Sequence, residues 1–316
     1  MARFLAVRLM TAVITILGVA TIVFVMMRLI PGGIVEALTG PAAAQSPETV
    51  ARIKAEHGLD KPLIVQYGVW LGNALRGDFG ESLGTRAPVL PEIIRRTGLT
   101  IELSVLATIV SVVVGVPAGM IAALRGHSGV DATVRVIALI GLSIPEFVLG
   151  TLLVYFVSTR DLGLPVSGYI PLGEDVIGHI KSMILPMLSL AVVTTAVVMR
   201  VTRASVAEVL AEPYIQAARA KGLSPRVVAW RHVMRAALIP TVTIIGINMG
   251  YLLSGAVIIE QIFSLPGLGR YALQGILGRD YPVAQGTVIA GALMFILANL
   301  IVDATYAFLD PRIKYR

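Results

Sequence analysis

The sequence predicts an all-α integral membrane protein. Six transmembrane helices are expected, with an extracytoplasmic helical segment between the first and second and a cytoplasmic helix between the fourth and fifth. Three observations carry this. Of 316 residues, 56% are hydrophobic and only 14% charged, with mean hydropathy +0.83, whereas soluble domains carry about a quarter of their residues as charges. Six nearly uncharged runs recur, each close to the ~20 residues that a helix needs to cross a ~30 Å hydrocarbon core. Lys and Arg are distributed unevenly between the segments joining those runs.

The runs are Leu9–Met27, Leu103–Leu124, Val136–Thr159, Ser182–Met199, Ala236–Ile259 and Tyr281–Val302. Arg3 and Arg8 before the first run also suit a signal peptide. Its apolar core is longer than an h-region, and the small-residue site Ala42-Ala43-Ala44 lies well past its end, so a retained helix is predicted. With the N-terminus inside, segments 1–8, 125–135, 200–235 and 309–316 hold 14 Lys/Arg against 4 acids. The outer loops 160–181 and 260–280 hold 4 against 5. Both termini are therefore expected in the cytoplasm. The same bias accounts for the net charge of +7 without nucleic acid. With no cysteine, disulfides, thiolate metal sites and Cys nucleophiles are excluded.

Three regions follow: an N-terminal transmembrane helix (1–30), an extracytoplasmic cap (31–98) and a five-helix core (99–316). In the cap, Ser46-Pro47 supplies an N-cap and N1 proline, and Gly58 a stop. A second helix runs from Lys61-Pro62 to Gly77, with Val65, Val69 and Trp70 on one face and Gln66 and Asn73 elsewhere. Residues 77–94 read as irregular chain before a short helix enters the membrane. Pro117, Pro145, Pro186 and Pro240 fall inside spans, where neighbouring helices can satisfy freed carbonyls. They suit either simple kinking or a bundle whose helices shift.

The stretch "YIQAARAKGLSPRVVAW" (214–230) interrupts the apolar pattern, and 200–235 holds seven basic residues and two acids. Pro213 opens a helix, Glu212 sits at the positive end of its dipole, and Gly222 is the C′ residue. Ser224-Pro225 caps a second helix, predicted to share Val227, Trp230, Met234 and Ala237 on one face and Arg231, His232 and Arg235 on the other. A projecting knob of this kind suits a groove on a partner, or a basic loop lying on anionic lipid.

"QAARAKG" followed by "RHVMRAALIP" resembles the EAA loop of membrane-spanning permease subunits of binding-protein-dependent ABC importers. Gln replaces the usual Glu at 216, and Leu238-Ile239-Pro240 replaces the usual apolar-Leu-Pro ending. "EHGLDKPLIVQYGVWLGNALRGDFGESL" (56–83), "EQIFSLPGLGRYALQGILGRDYPVAQG" (260–286) and "NLIVDATYAFLDPRIKYR" (299–316) resemble the dipeptide/oligopeptide branch, B-type subunit. The resemblance implies a bacterial inner-membrane subunit and a coupling loop at 203–237. The loop's contact with a cytoplasmic ATPase would fall on Gln216, Ala217, Ala218, Lys221, Gly222, Leu223, Ser224 and Pro225. Glu260, Phe263, Pro266, Gly267 and Gly269 would belong to an outer gate. Implied partners are a second homologous permease, two cytoplasmic ATP-binding subunits, an extracytoplasmic solute-binding protein and membrane lipid. The implied task is peptide import by alternating access; related subunits carry nickel chelates, glutathione or other small solutes.

No G-x-x-x-x-G-K-[ST] loop occurs, so no cofactor is expected in this chain, and ATP and Mg belong to the ATPase partners. His57, His127, His179 and His232 show no metal-ligand spacing, and G-x-S-x-G is absent, which leaves catalysis without support. Glu146, Asn248 and Asp303 are the candidates for a translocation path, because polar groups at membrane depth are expensive and face the bundle interior. For Asp303 a structural hydrogen-bonding role competes. The rival class is a self-contained carrier driven by an ion gradient, or a channel. It requires paired intramembrane acids or repeat-related broken helices, and neither is evident. A scaffold without a pore is the third class.

Overall fold

The computed structural model describes residues 2–29, 47–56 and 59–309. The described elements are helical: α1 (Ala2–Leu29), α2 (Pro47–Glu56), α3 (Leu63–Leu75), α4 (Val89–Leu124), α5 (Gly129–Ser143), α6 (Glu146–Arg160), α7 (Val176–Ala211), α8 (Pro213–Ala220), α9 (Pro225–Val227), a π-helical turn (Val228–Val233), α10 (Met234–Gly255), α11 (Val257–Ile262), α12 (Leu268–Leu277) and α13 (Tyr281–Leu309). Within 77–88 the extended chain makes one isolated antiparallel bridge, Glu81 to Pro88. Helix α2 starts at the predicted Pro47. Ser46 and Gly58, its predicted cap and stop, lie outside the described residues.

Among the described residues, five helices are long and apolar enough to cross a membrane, and a sixth crossing exists if α5 and α6 form one broken span. The expected span Val136–Thr159 is broken at the proline it contains, with α5 and α6 meeting at 94°. The cause is local. A residue before proline is pushed out of the α region, and Ile144 (φ −94, ψ 115) and Pro145 (φ −59, ψ 140) are both extended. Pro117, Pro186 and Pro240, by contrast, lie inside continuous helices.

Two helices outrun their apolar runs. Both α4 and α7 have 36 residues, about 54 Å at ~1.5 Å per residue and well beyond a ~30 Å core. Charge ends a hydrophobic run without ending a helix. Glu92 takes hydrogen bonds from Arg95 (2.9 Å) and Arg96 (2.8 Å), one turn along the same face of α4. The fifth run also divides, with α10 ending at Gly255 and α11 following at Val257.

The chain forms two compact units that do not follow chain order: residues 1–100 with 266–296, and 101–265 with 297–316. In the first, Phe24 of α1 packs edge-on against Tyr67 (5.1 Å between centroids) and against Trp70 (5.5 Å) of α3. Val23, Met27, Tyr281 and Ala284 form one of its buried clusters. Asp280, just before α13, accepts hydrogen bonds from Ser82 Oγ (2.6 Å) and the Gly84 N–H (3.3 Å), pinning the 77–88 segment.

The second unit is organised around α7, against which α5, α6 and α10 pack. Gly115 and Gly119 form a G-x-x-x-G step on α4 and allow close approach of α7: a Cβ on Gly119 would lie 2.5 Å from the Met199 carbonyl oxygen. Beside this contact, buried Asp131 in the first turn of α5 receives both Nε and Nη2 of Arg203 on α7, the latter at 3.0 Å. Ser128 caps α5 by accepting from the Asp131 N–H.

Candidate functional site

Helix α7 stops because Glu212 precedes a proline and adopts an extended conformation (φ −65, ψ 139). Pro213 then starts α8 at its first turn, where a missing N–H is harmless. Eight residues later α8 ends in a full Schellman motif. The Gly222 N–H donates to the Arg219 carbonyl (2.9 Å) and the Leu223 N–H to the Ala218 carbonyl (3.4 Å). Gly222 has φ +78, a conformation that suits glycine, and a Cβ there would meet no other atom within 4 Å.

The two faces of α8 differ. Ile215 (0% exposed) and Ala218 are buried in a cluster with Ala123 of α4, Val206 of α7, Val228 and Val233 of the π-helical turn, and Ala237 of α10. Tyr214, Gln216, Ala217, Arg219 and Lys221 face outward. The knob therefore rests on three long helices at once. Of the residues carried over by resemblance, Ala218 belongs to this inner support, while Gln216, Ala217, Lys221, Gly222, Leu223, Ser224 and Pro225 are exposed.

The predicted face of the second helix is corrected. Val227 and Trp230 (68% exposed) point away from the protein, while Val228, Ala229 and Val233 are buried with Met234 and Ala237. The π-helical turn is responsible. The Met234 N–H donates to the Ala229 carbonyl five residues back, which shifts the angular phase of everything before it. Arg231 and Arg235 are exposed, as their predicted polar face requires.

Farther into the second unit, Glu146 is the first residue of α6, directly after the Pro145 break. Tyr251 Oη on α10 donates to Glu146 Oε1 at 3.4 Å. Asn248 lies three residues before Tyr251, on the same side of α10, and its Nδ2 is buried without a hydrogen-bond partner among the described residues. Glu146 and Asn248 thus lie on two elements joined by Tyr251, whose role the sequence reading missed. Asp303 is on α13, with its side chain outside the described residues. In the outer-gate segment, Glu260 and Phe263 are fully buried in the second unit, and the Phe263 carbonyl accepts from the Gly168 N–H (2.9 Å). Pro266, Gly267 and Gly269 belong to the first unit; Gly267 caps α12, and the Leu268 N–H donates to Thr100 Oγ1 (3.0 Å). Also missed was the pairing of His179 on α7 with Glu102 on α4 (2.7 Å), 77 residues apart. The other ring nitrogen faces the Ile170 carbonyl at 2.9 Å, so the pair fastens the 161–175 loop. No cluster of three or more metal-ligating side chains occurs among the described residues.

The family described as "binding-protein-dependent transport system inner membrane component" matches residues 115–315, and its N-terminal companion matches residues 1–104. The chain belongs to this family. Curated relatives of the permease include the dipeptide transport system permease protein DppB of Escherichia coli K12, 40% identical over 339 residues with both chains covered completely. Another is the probable peptide ABC transporter permease protein y4tP of Sinorhizobium fredii, 39% identical over 308 residues and 98% of each chain. Among solved structures, the inward-facing MetNI methionine ABC transporter matches 69% of the permease and 96% of its own chain, with TM-score 0.56 and 18% identity. An amino acid ABC transporter matches at TM-score 0.50 and 19% identity over 71% of the permease and 94% of its own chain. These two likenesses show the fold; the family match and the full-length relatives identify a multi-pass membrane permease of the ABC importer type.

Proposed function

We propose that this permease forms half of the translocation pathway of a peptide importer and receives its driving force through α8 from a separate cytoplasmic ATPase. The observation that carries the reading is the two-sided character of α8. Ile215 and Ala218 are anchored against α4, α7 and α10, while Gln216, Ala217 and Lys221 stand free. A short helix held this way moves as one body with the long helices beneath it, which is what a transmission element requires. The rigid Schellman turn at Gly222 supports the same role.

The sequence holds no phosphate-binding loop, so nucleotide and Mg are assigned to the two ATPase subunits. A second permease completes the pathway, and a solute-binding protein delivers cargo to the extracytoplasmic side. The positive-inside bias supports cytoplasmic termini and an extracytoplasmic 31–98 segment that receives the binding protein. The names of the full-length relatives support peptide as cargo. Glu146, Asn248 and Asp303 are assigned to the path, and Glu260, Phe263, Pro266, Gly267 and Gly269 to the outer gate. The chain itself performs no covalent chemistry. Its work is to alternate the side to which the cavity opens.

The test is uptake of a labelled dipeptide by proteoliposomes containing the complete transporter and its binding protein. Uptake that requires ATP inside and is lost without the ATPase subunits is the expected result. Uptake that persists without ATPase subunits, driven by an ion gradient, overturns the reading.

A further inference from the structure

The first unit holds a cavity to which the proposed function assigns no ligand. Its volume is about 510 Å³, within the ~300–1,000 Å³ of small-ligand sites. Arg28 at the end of α1, Lys61 and Trp70 at α3, Arg86 on the 77–88 segment, and Tyr281 and Gln285 on α13 are among its walls.

The walls are held in place. Arg28 donates from Nε to Gln66 Oε1 (3.1 Å) and from Nη1 to the Phe24 carbonyl (3.2 Å), and its guanidinium lies 3.4 Å from the centre of the Phe24 ring. Gln66 in turn donates to the Lys61 carbonyl at 2.9 Å. One donor is left over. Gln285 is 4% exposed, lines the cavity, and its Nε2 is buried without a hydrogen-bond partner among the described residues. A buried N–H of this kind calls for an acceptor.

The charge balance says which acceptor. Arg28, Lys61 and Arg86 face Asp78 and Glu81, and one Asp78 oxygen already accepts from the Gly80 N–H (2.9 Å). The excess of cations and N–H donors fits a phosphate-type anion. The surroundings say where that anion comes from. Arg28 closes one membrane span and Tyr281 opens another, so the cavity lies at a membrane–water interface, where Trp and Tyr concentrate. Met26 and Leu29 on α1, and Leu63 and Ile64 on α3, the two helices that supply Arg28 and Trp70, remain largely exposed. Those exposed apolar side chains suit acyl chains and would be a liability in water around a free anion.

We propose that this cavity binds the anionic headgroup phosphate of a membrane phospholipid, with its acyl chains along α1 and α3. Its assignment to the outer leaflet rests on the orientation given under Proposed function; the binding itself does not.

The experiment uses the complete, delipidated transporter in detergent. Dioctanoyl phosphatidylglycerol is titrated in, and bound lipid is counted by native mass spectrometry alongside the thermal midpoint. The expected result is one retained lipid for each copy of this chain and a raised midpoint. Gln285→Leu and Arg28→Gln are each expected to weaken retention about tenfold, the scale of one lost charge-assisted hydrogen bond. Lys61→Gln, at an exposed position, gives a smaller loss and keeps the test open if Arg28→Gln does not fold. Equal retention by all variants overturns the proposal, as does equal stabilisation by uncharged dioctanoylglycerol. Full stabilisation by inorganic phosphate alone, or by a dipeptide, overturns the lipid assignment. The readout needs neither ATP nor transport, so a different cargo would leave it intact, and a missing lipid site would leave the transport function standing.

Discussion

Gly222 separates the coupling role of α8 from a merely structural one. Its φ of +78 penalises any side chain through the backbone, and a Cβ there meets nothing within 4 Å. Replacement by alanine therefore costs about 1–2 kcal/mol in the turn, and tryptophan pays the same backbone penalty with open space at its Cβ. Asparagine, which tolerates left-handed backbone, costs less. Both variants therefore share one backbone cost, and the thermal midpoint of the isolated chain checks that they do. Any large difference between them reports a surface outside the chain that lies against position 222. The assay is ATPase subunit retained on gel filtration of the complex, together with peptide uptake. Gly222→Asn and Gly222→Ala are expected to keep most of both, and Gly222→Trp to lose at least about tenfold, or about 1.4 kcal/mol of association. If Gly222→Trp performs like Gly222→Ala, no partner sits on this turn and the coupling assignment fails.

Other expectations follow from the packing. Gly119→Leu drives a side chain into the Met199 carbonyl and should destabilise the bundle by about 1–3 kcal/mol or more, lowering the thermal midpoint; an unchanged midpoint would contradict the α4–α7 contact. Val233→Ala truncates a fully buried side chain and should cost about 1–3 kcal/mol, whereas Trp230→Ala, at an exposed position, should stay within about 0.5 kcal/mol. The reverse order would restore the originally expected helix face. Asp131→Asn should loosen α5 from α7 and lower the midpoint, and the change should be smaller in an Arg203→Gln background, since the partner is already gone. Glu146→Gln should reduce uptake while leaving complex assembly intact, and assembly lost together with uptake would make Glu146 a structural residue.

What the residues disclosed was mostly punctuation. Pro213, Gly222 and Ser224-Pro225 announced helix ends because caps and breakers act within a few bonds, and α8 begins and ends where they require. The phase of the following helix was hidden, because a π-helical turn at Val228–Val233 leaves no signature that distinguishes it from ordinary helix. Four prolines looked alike in sequence, yet only Pro145 sits at a break. Which proline kinks a helix is decided by tertiary packing. Asn248 stood out as polar at membrane depth, but the Tyr251–Glu146 link spans 105 residues and became visible only when α6 met α10. The G-x-x-x-G step at Gly115 and Gly119 was readable in principle, and its spacing is the signal that would have found it.

The cysteine-free sequence permits a direct test of the central claim. In the complete transporter, Ala217→Cys and Ala218→Cys, made separately, are treated in parallel samples either with a membrane-impermeant maleimide from one side or with a short thiol-to-amine crosslinker. Position 217 should label only from the cytoplasm and crosslink to the ATPase subunit, while position 218, buried in the knob's own core, should do neither. Labelling of position 217 from outside, or its failure to reach the ATPase, would contradict the account.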